Sequence, residues 1–147
     1  MQGCDLCQSP GGEVLWQSAA CRVVGVADAH YPGFCRVIWN AHVQEMTDLA
    51  PAQRQFLMAV VFAVENVLRE LYRPDKINLA SFGNMTPHVH WHVIPRWADD
   101  RHFPEPVWGS VRREGALPRP AVDAATVAAA LAAALAPVQA ACEGVTP

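Results

Sequence analysis

The residues best suited to chemistry lie in one short run, His88-Val89-His90-Trp91-His92-Val93-Ile94. Histidine alternates with apolar residues, the two-residue period of an extended strand whose side chains point to opposite faces in turn. Read as a strand, the run puts His88, His90 and His92 on one face at steps of about 7 Å. Val89, Trp91 and Val93 then face a core. A single strand histidine is ordinarily a satisfied or exposed residue. Three on one face are costly, because each neutral ring brings a donor and an acceptor that both need partners. Function explains that cost better than packing does.

Two chemistries want such a face. With an unperturbed pKa of about 6.5, imidazole is a neutral nucleophile near pH 7. Attack on phosphorus would give a nucleotidyl-imidazole that water later resolves, while neighbouring histidines donate to phosphate oxygens or protonate the leaving group. The same imidazoles also suit a catalytic metal, as in a metal-dependent hydrolase with three histidine ligands. A protein that binds a nucleotide without turning it over would use the same cleft. The spacing is compatible with all three.

The elements that must position this run are legible around it. Residues 14–16, 21–27, 34–39 and 77–80 read as strands, separated by turn clusters at Ser9-Pro10-Gly11-Gly12, Tyr31-Pro32-Gly33 and Gly83-Asn84. The triad strand spans 88–94 and is closed by Pro95, since proline suits a strand edge and not its interior. Asp48-Leu49-Ala50-Pro51 opens a long helix, with Asp48 as cap and Pro51 in the first turn. Leu57, Val61, Val64, Leu68 and Leu71 form its core stripe, and Pro74 stops it. A last, alanine-rich helix occupies 123–136 within the segment 121–143, capped by Asp123 and serving packing or assembly. The fold class is α+β: a mainly antiparallel sheet, a long helix packed on it and a C-terminal helix. At 147 residues the chain suits one domain, 1–147.

Composition narrows the partners. Hydrophobic residues make up 52% and charged ones 17%, which excludes a wholly disordered chain. A formal net charge of −3 argues against nucleic-acid binding by bulk attraction and leaves room for a local basic spot. No apolar run reaches the roughly 18 to 20 residues of a membrane span, the nearest being 124–136. Met1-Gln2-Gly3-Cys4-Asp5 lacks the basic start of an export signal. Cys4, Cys7, Cys21, Cys35 and Cys142 are odd in number, which fits reduced thiols and a cytoplasmic setting. Cys4-x-x-Cys7 offers two thiolates to a zinc ion, which needs two more ligands. Arg96 would meet a phosphate or pair at the sheet end. Phe103 and Trp108 read as surface or dimer packing, with a place over the base or ribose as the lesser alternative, His30 and His102 as solvated loop residues, and Arg112-Arg113 as a basic pair without a partner.

The run from His88 to Ile94 resembles the histidine-triad (HIT) pattern, His-φ-His-φ-His-φ-φ with φ apolar, at every position. Pro95-Arg96 is similar to the Ile-Pro-Arg ending common in that family, and strand 34–39, His42, Asp48-Leu49 and the long helix resemble what precedes the triad there. The resemblance covers about residues 20–97 and implies a HIT-like fold. It implies a nucleotidyl hydrolase or transferase that cleaves at the α-phosphate of dinucleoside polyphosphates, nucleoside phosphoramidates or similar conjugates. His90 would be the nucleophile and His92 the α-phosphate contact. Asp28 would hold the ribose hydroxyls, and Asn84 would touch the phosphate or leaving group. The chemistry would need no metal. The same likeness completes a structural zinc site from Cys4, Cys7, His42 and His88, with residues 1–12 clipped to the sheet. It implies a homodimer with a mononucleotide or nucleotide conjugate as ligand, while the charge and hydropathy above speak for neither nucleic acid nor membrane as partner.

Overall fold

Short β-branched and aromatic runs between turn clusters become five strands in the computed structural model, which describes residues 3–147. They are β1 (Glu13–Gln17), β2 (Cys21–Gly25), β3 (Cys35–Trp39), β4 (Lys76–Ala80) and β5 (His90–Arg96). One sheet of order β1-β2-β3-β5-β4 joins them, every neighbouring pair antiparallel. The helices are α1 (Asp5–Gln8), α2 (Pro51–Tyr72) and α3 (Ala124–Ala141). The architecture is the α+β arrangement expected from the sequence.

Pleating divides the sheet into two faces. Cys21, Val23, Cys35, Val37 and Val93 point to the helical side and share the main core with Leu57, Val61, Val64 and Leu68 of α2. Val127, Leu131 and Leu135 of α3 complete it, packed against α2 and β1. The other face carries Val24, Arg36, Ile38, His90 and His92, and it has no long helix over it. β5 lies between β3 and β4, so the histidine strand is held from both sides. The turn before β3 needs its glycine: Gly33 has φ +83°, and a Cβ there would lie 2.7 Å from the Tyr72 ring.

Several element boundaries depart from expectation, each for a physical reason. β5 begins at His90, not His88, and runs through Pro95 to Arg96. Pro95 is tolerated because β3 pairs with β5 only as far as Val93, leaving the proline opposite Ile77 of β4 alone. Asp48 does not cap the long helix. It closes a 3-10 turn, Met46–Asp48, by accepting from the Glu45 amide at 3.3 Å. α2 starts at Pro51, where the Gln53 side chain reaches back to the Ala50 amide at 2.8 Å. α3 continues past Ala136 through Pro137, whose missing amide frees only the carbonyl of Ala133, an exposed residue. At 18 residues α3 is long and apolar enough, by length and composition, to cross a membrane, which the 124–136 stretch expected from sequence is not. Its buried stripe is committed to the core.

Candidate active site

His90 and His92 project from β5 onto the open face, both buried, with ring centroids 4.9 Å apart. A backbone carbonyl can only accept. The contact of 2.6 Å between His90 Nδ1 and the His88 carbonyl therefore fixes the proton on Nδ1 and leaves the lone pair on Nε2. Ser81 donates to the His90 carbonyl at 2.7 Å and ties the β4–β5 loop to the same residue. His92 Nδ1 is buried and has no partner among the described residues. Burial first, then the nearby His90 and Arg36, push the His92 pKa down to about 4, so the ring is neutral at pH 7.

The cleft around these rings has walls that sequence reasoning assigned elsewhere or missed. Trp108 lies edge-on to His92 with centroids 4.8 Å apart, and Phe82 lies 5.2 Å from Trp108. Both are largely exposed, at 52% and 61%. Trp108 is thus a cleft residue rather than general surface packing. Phe82, in the loop after β4, has no periodic partner that would mark it in the sequence. Across the sheet, Arg36 of β3 stands in register opposite His92. It is a charged residue amid the apolar Cys35-Arg36-Val37-Ile38, and that break in pattern was the available clue.

Arg96 is not available to a phosphate. It is 1% exposed and donates to Asp100 through Nε (2.7 Å) and a terminal nitrogen (3.1 Å), to Asn78 (2.6 Å) and to the Glu105 carbonyl (2.7 Å). Asp100 also accepts from the amides of Trp97, His102 and Phe103 and from the Tyr31 hydroxyl. Burial alone would raise its carboxyl, but the Arg96 bond and these amides outweigh it and bring the pKa to about 2. This knot fastens the irregular segment 97–113 to the end of β5 and so holds Trp108 in place. Phe103 lies beneath the Arg96 guanidinium, 5.7 Å away, rather than over a ligand. His102 is no free loop residue, since its Nδ1 pairs with the Tyr31 hydroxyl. Arg112 and Arg113 also find partners: the first pairs with Glu105, and the second donates to the Asp100 and Phe103 carbonyls. Asp28 and Asn84 are exposed loop residues, and the Asp28 carboxylate accepts from the His30 amide at 2.9 Å.

His88, just before β5, turns to a second centre. Its Nε2 donates to the Trp39 carbonyl at 2.6 Å, which leaves the Nδ1 lone pair facing Cys4 Sγ (3.4 Å) and Cys7 Sγ (3.5 Å). His42 Nδ1 is 3.4 Å from Cys7 Sγ, and the ligand atoms of Cys4, Cys7, His42 and His88 all lie within 4.8 Å of one another. Zinc at about 2.3 Å from sulfur and about 2.0 Å from nitrogen, with tetrahedral angles, has S···N edges of about 3.5 Å. The three measured S···N distances match those edges. Burial and the neighbouring Cys4 raise the Cys7 thiol in the absence of metal, so zinc would displace its proton. The cluster has the donors and the dimensions to bind structural zinc.

An antiparallel sheet backed by helices, displaying alternate histidines from a central strand, defines the class of protein. The chain belongs to the HIT domain family, whose model matches residues 11–99. It is 31% identical over 85 residues to the AP-4-A phosphorylase of Mycobacterium tuberculosis, a match covering 54% of this chain and 44% of that relative's length. A histidine triad protein of Bradyrhizobium japonicum is similar in structure, with a TM-score of 0.67 and 30% identity, covering 84% of this chain and 90% of the other. A zinc-bound histidine triad family protein of Mycobacterium smegmatis shares the fold at 21% identity, with a TM-score of 0.60 over 95% of this chain and 97% of that one.

Proposed function

We propose that this protein is a nucleotidyl hydrolase or transferase that cleaves nucleotide conjugates at the α-phosphate through a covalent intermediate on His90. The observation that carries the reading is the fixed tautomer of His90, which leaves its Nε2 lone pair free to attack. Nε2 attacks the α-phosphorus, a P–N bond forms, and the bond from phosphorus to the leaving group breaks, its electron pair departing with that group. Water then attacks phosphorus, the P–N bond breaks, and the nucleoside monophosphate leaves as His90 is regenerated. His92, neutral and beside His90, contacts the α-phosphate oxygens. Asp28 and Asn84 are the candidates for the ribose and for the phosphate or leaving group. The leaving group is a nucleotide of a dinucleoside polyphosphate or an amine of a phosphoramidate, and the name of the mycobacterial relative makes phosphate an acceptor worth testing alongside water.

Zinc held by Cys4, Cys7, His42 and His88 would clip the N-terminus to the strand end that precedes His90, a structural role outside the chemical steps. The metal-enzyme alternative would put all three histidines on one ion. Its support is weakened because His88 joins the cysteines and His42, while His90 and His92 face the cleft.

The test is AMP release from an adenosine phosphoramidate and from a dinucleoside polyphosphate, with wild type and His90→Asn, before and after brief chelation. Activity that survives brief chelation and falls by at least about a thousandfold in His90→Asn supports covalent catalysis. Loss on brief chelation with recovery on adding metal would favour the metal-enzyme reading. ADP formed from the phosphoramidate in place of AMP, and only when inorganic phosphate is present, would identify phosphorolysis.

A further inference from the structure

Besides Arg96, which is committed to Asp100, two arginines stand on the open face of the central strands, and they are treated differently by their surroundings. Arg22 of β2 is occupied: it donates to the carbonyls of Pro10, Leu6 and Ser9 and to Asn40, so it serves to bind the N-terminal segment. Arg36 of β3 is half-buried and, among the described residues, makes one hydrogen bond, from a terminal nitrogen to the Gly11 carbonyl at 3.0 Å. Its Nε is buried without a partner, and among the described residues no carboxylate pairs with it. A desolvated guanidinium with unused donors and no counter-ion is costly, and such a group normally meets an anion. The position opposite His92 decides which anion. The charge of Arg36 is already felt at His92, where it helps hold the ring neutral.

We infer that Arg36 is the anion-binding residue of the cleft, donating to phosphate oxygens of the nucleotide held at His90 and His92. This rests on the nucleotide reading of the site and adds a charged contact to it. Guanidinium suits the task, because its planar fork matches phosphate and its charge is independent of pH in the working range. Arg36 brings the positive charge that the neutral His92 ring lacks. It therefore selects for the charged nucleotide over the free nucleoside.

The experiment is calorimetric binding of AMP and of adenosine to wild type, Arg36→Gln and Arg36→Lys at low and at moderate salt. AMP carries no leaving group, so the result stands whether or not turnover occurs. The expected outcome is AMP binding weakened about tenfold or more in Arg36→Gln, with part retained in Arg36→Lys. Adenosine binding should stay within about twofold of wild type, and the salt dependence of AMP binding should shrink in Arg36→Gln. Thermal denaturation of both variants reports whether the brace to Gly11 is itself a stability element. AMP binding that ignores Arg36→Gln would overturn the inference and leave Arg36 as that brace. Equal loss for adenosine and AMP would also overturn it, placing the side chain against the base or ribose. Failure of the wild type to bind AMP at all would sink the nucleotide reading and this inference together.

Discussion

At the residue scale, the molecule depends on where charge is compensated. Asp100 is the counter-ion of a buried Arg96 and the acceptor for three backbone amides. Asp100→Asn leaves that arginine unpaired, and breaking a buried pair from one side costs roughly 3–5 kcal/mol. A large fall in the midpoint of urea unfolding is expected, with loss of the Trp108–His92 contact in the NMR spectrum. Acid should act in two windows. The His92 pKa lies near 4 in the fold, below the roughly 6.5 of an unfolded histidine. The unfolded chain therefore binds that proton first, and stability falls as pH drops from about 6.5 to 4. Asp100 titrates near 2 rather than at the roughly 4 of an unfolded aspartate, so its contribution is intact above about pH 4 and is lost on going down to 2. Urea midpoints measured across pH should show both declines, and His92→Gln should shrink the upper one, to which His88, also pushed down by burial, contributes.

At the element scale, α1 is a single turn of four residues and has no stability of its own. Arg22 and the Cys4, Cys7, His42 and His88 cluster hold it against the sheet. One zinc per chain is expected from elemental analysis. Cys4→Ser should lower the metal content and the melting temperature together, while AMP release declines only as the N-terminal segment loosens. What the sequence revealed here follows from period. The histidine strand and the α2 stripe repeat at 2 and at 3 to 4 residues, and both were legible. The exact ends were not, because they depend on neighbours. Pro95 stays in its strand only because β3 has stopped, and Asp48 is diverted into a turn of its own.

At the scale of the whole molecule, one core runs from the sheet through α2 to α3, with Leu131 fully buried in it. Leu131→Ala should cost about 2–5 kcal/mol. Because the same core holds every helix longer than one turn, calorimetry should show a single transition shifted downward, not fraying of α3 alone. The cleft was less legible than the core at this scale. The alternating histidines and the Cys4-x-x-Cys7 pair were readable from residue type and spacing, and His42 and His88 entered as metal ligands only through the likeness to the histidine-triad family, whereas the opposing wall comes from segment 97–113, which has no periodicity to read. The Arg96–Asp100 knot helps bring Trp108 back across sixteen residues to His92, and strand register sets Arg36 beside it.

The edge-on indole of Trp108, half open to solvent and against His92, has a further consequence. The wall of the cleft contains its own chromophore. Whatever displaces water from that imidazole changes the surroundings of the indole, so filling and emptying of the cleft are written into the protein's fluorescence without any added label.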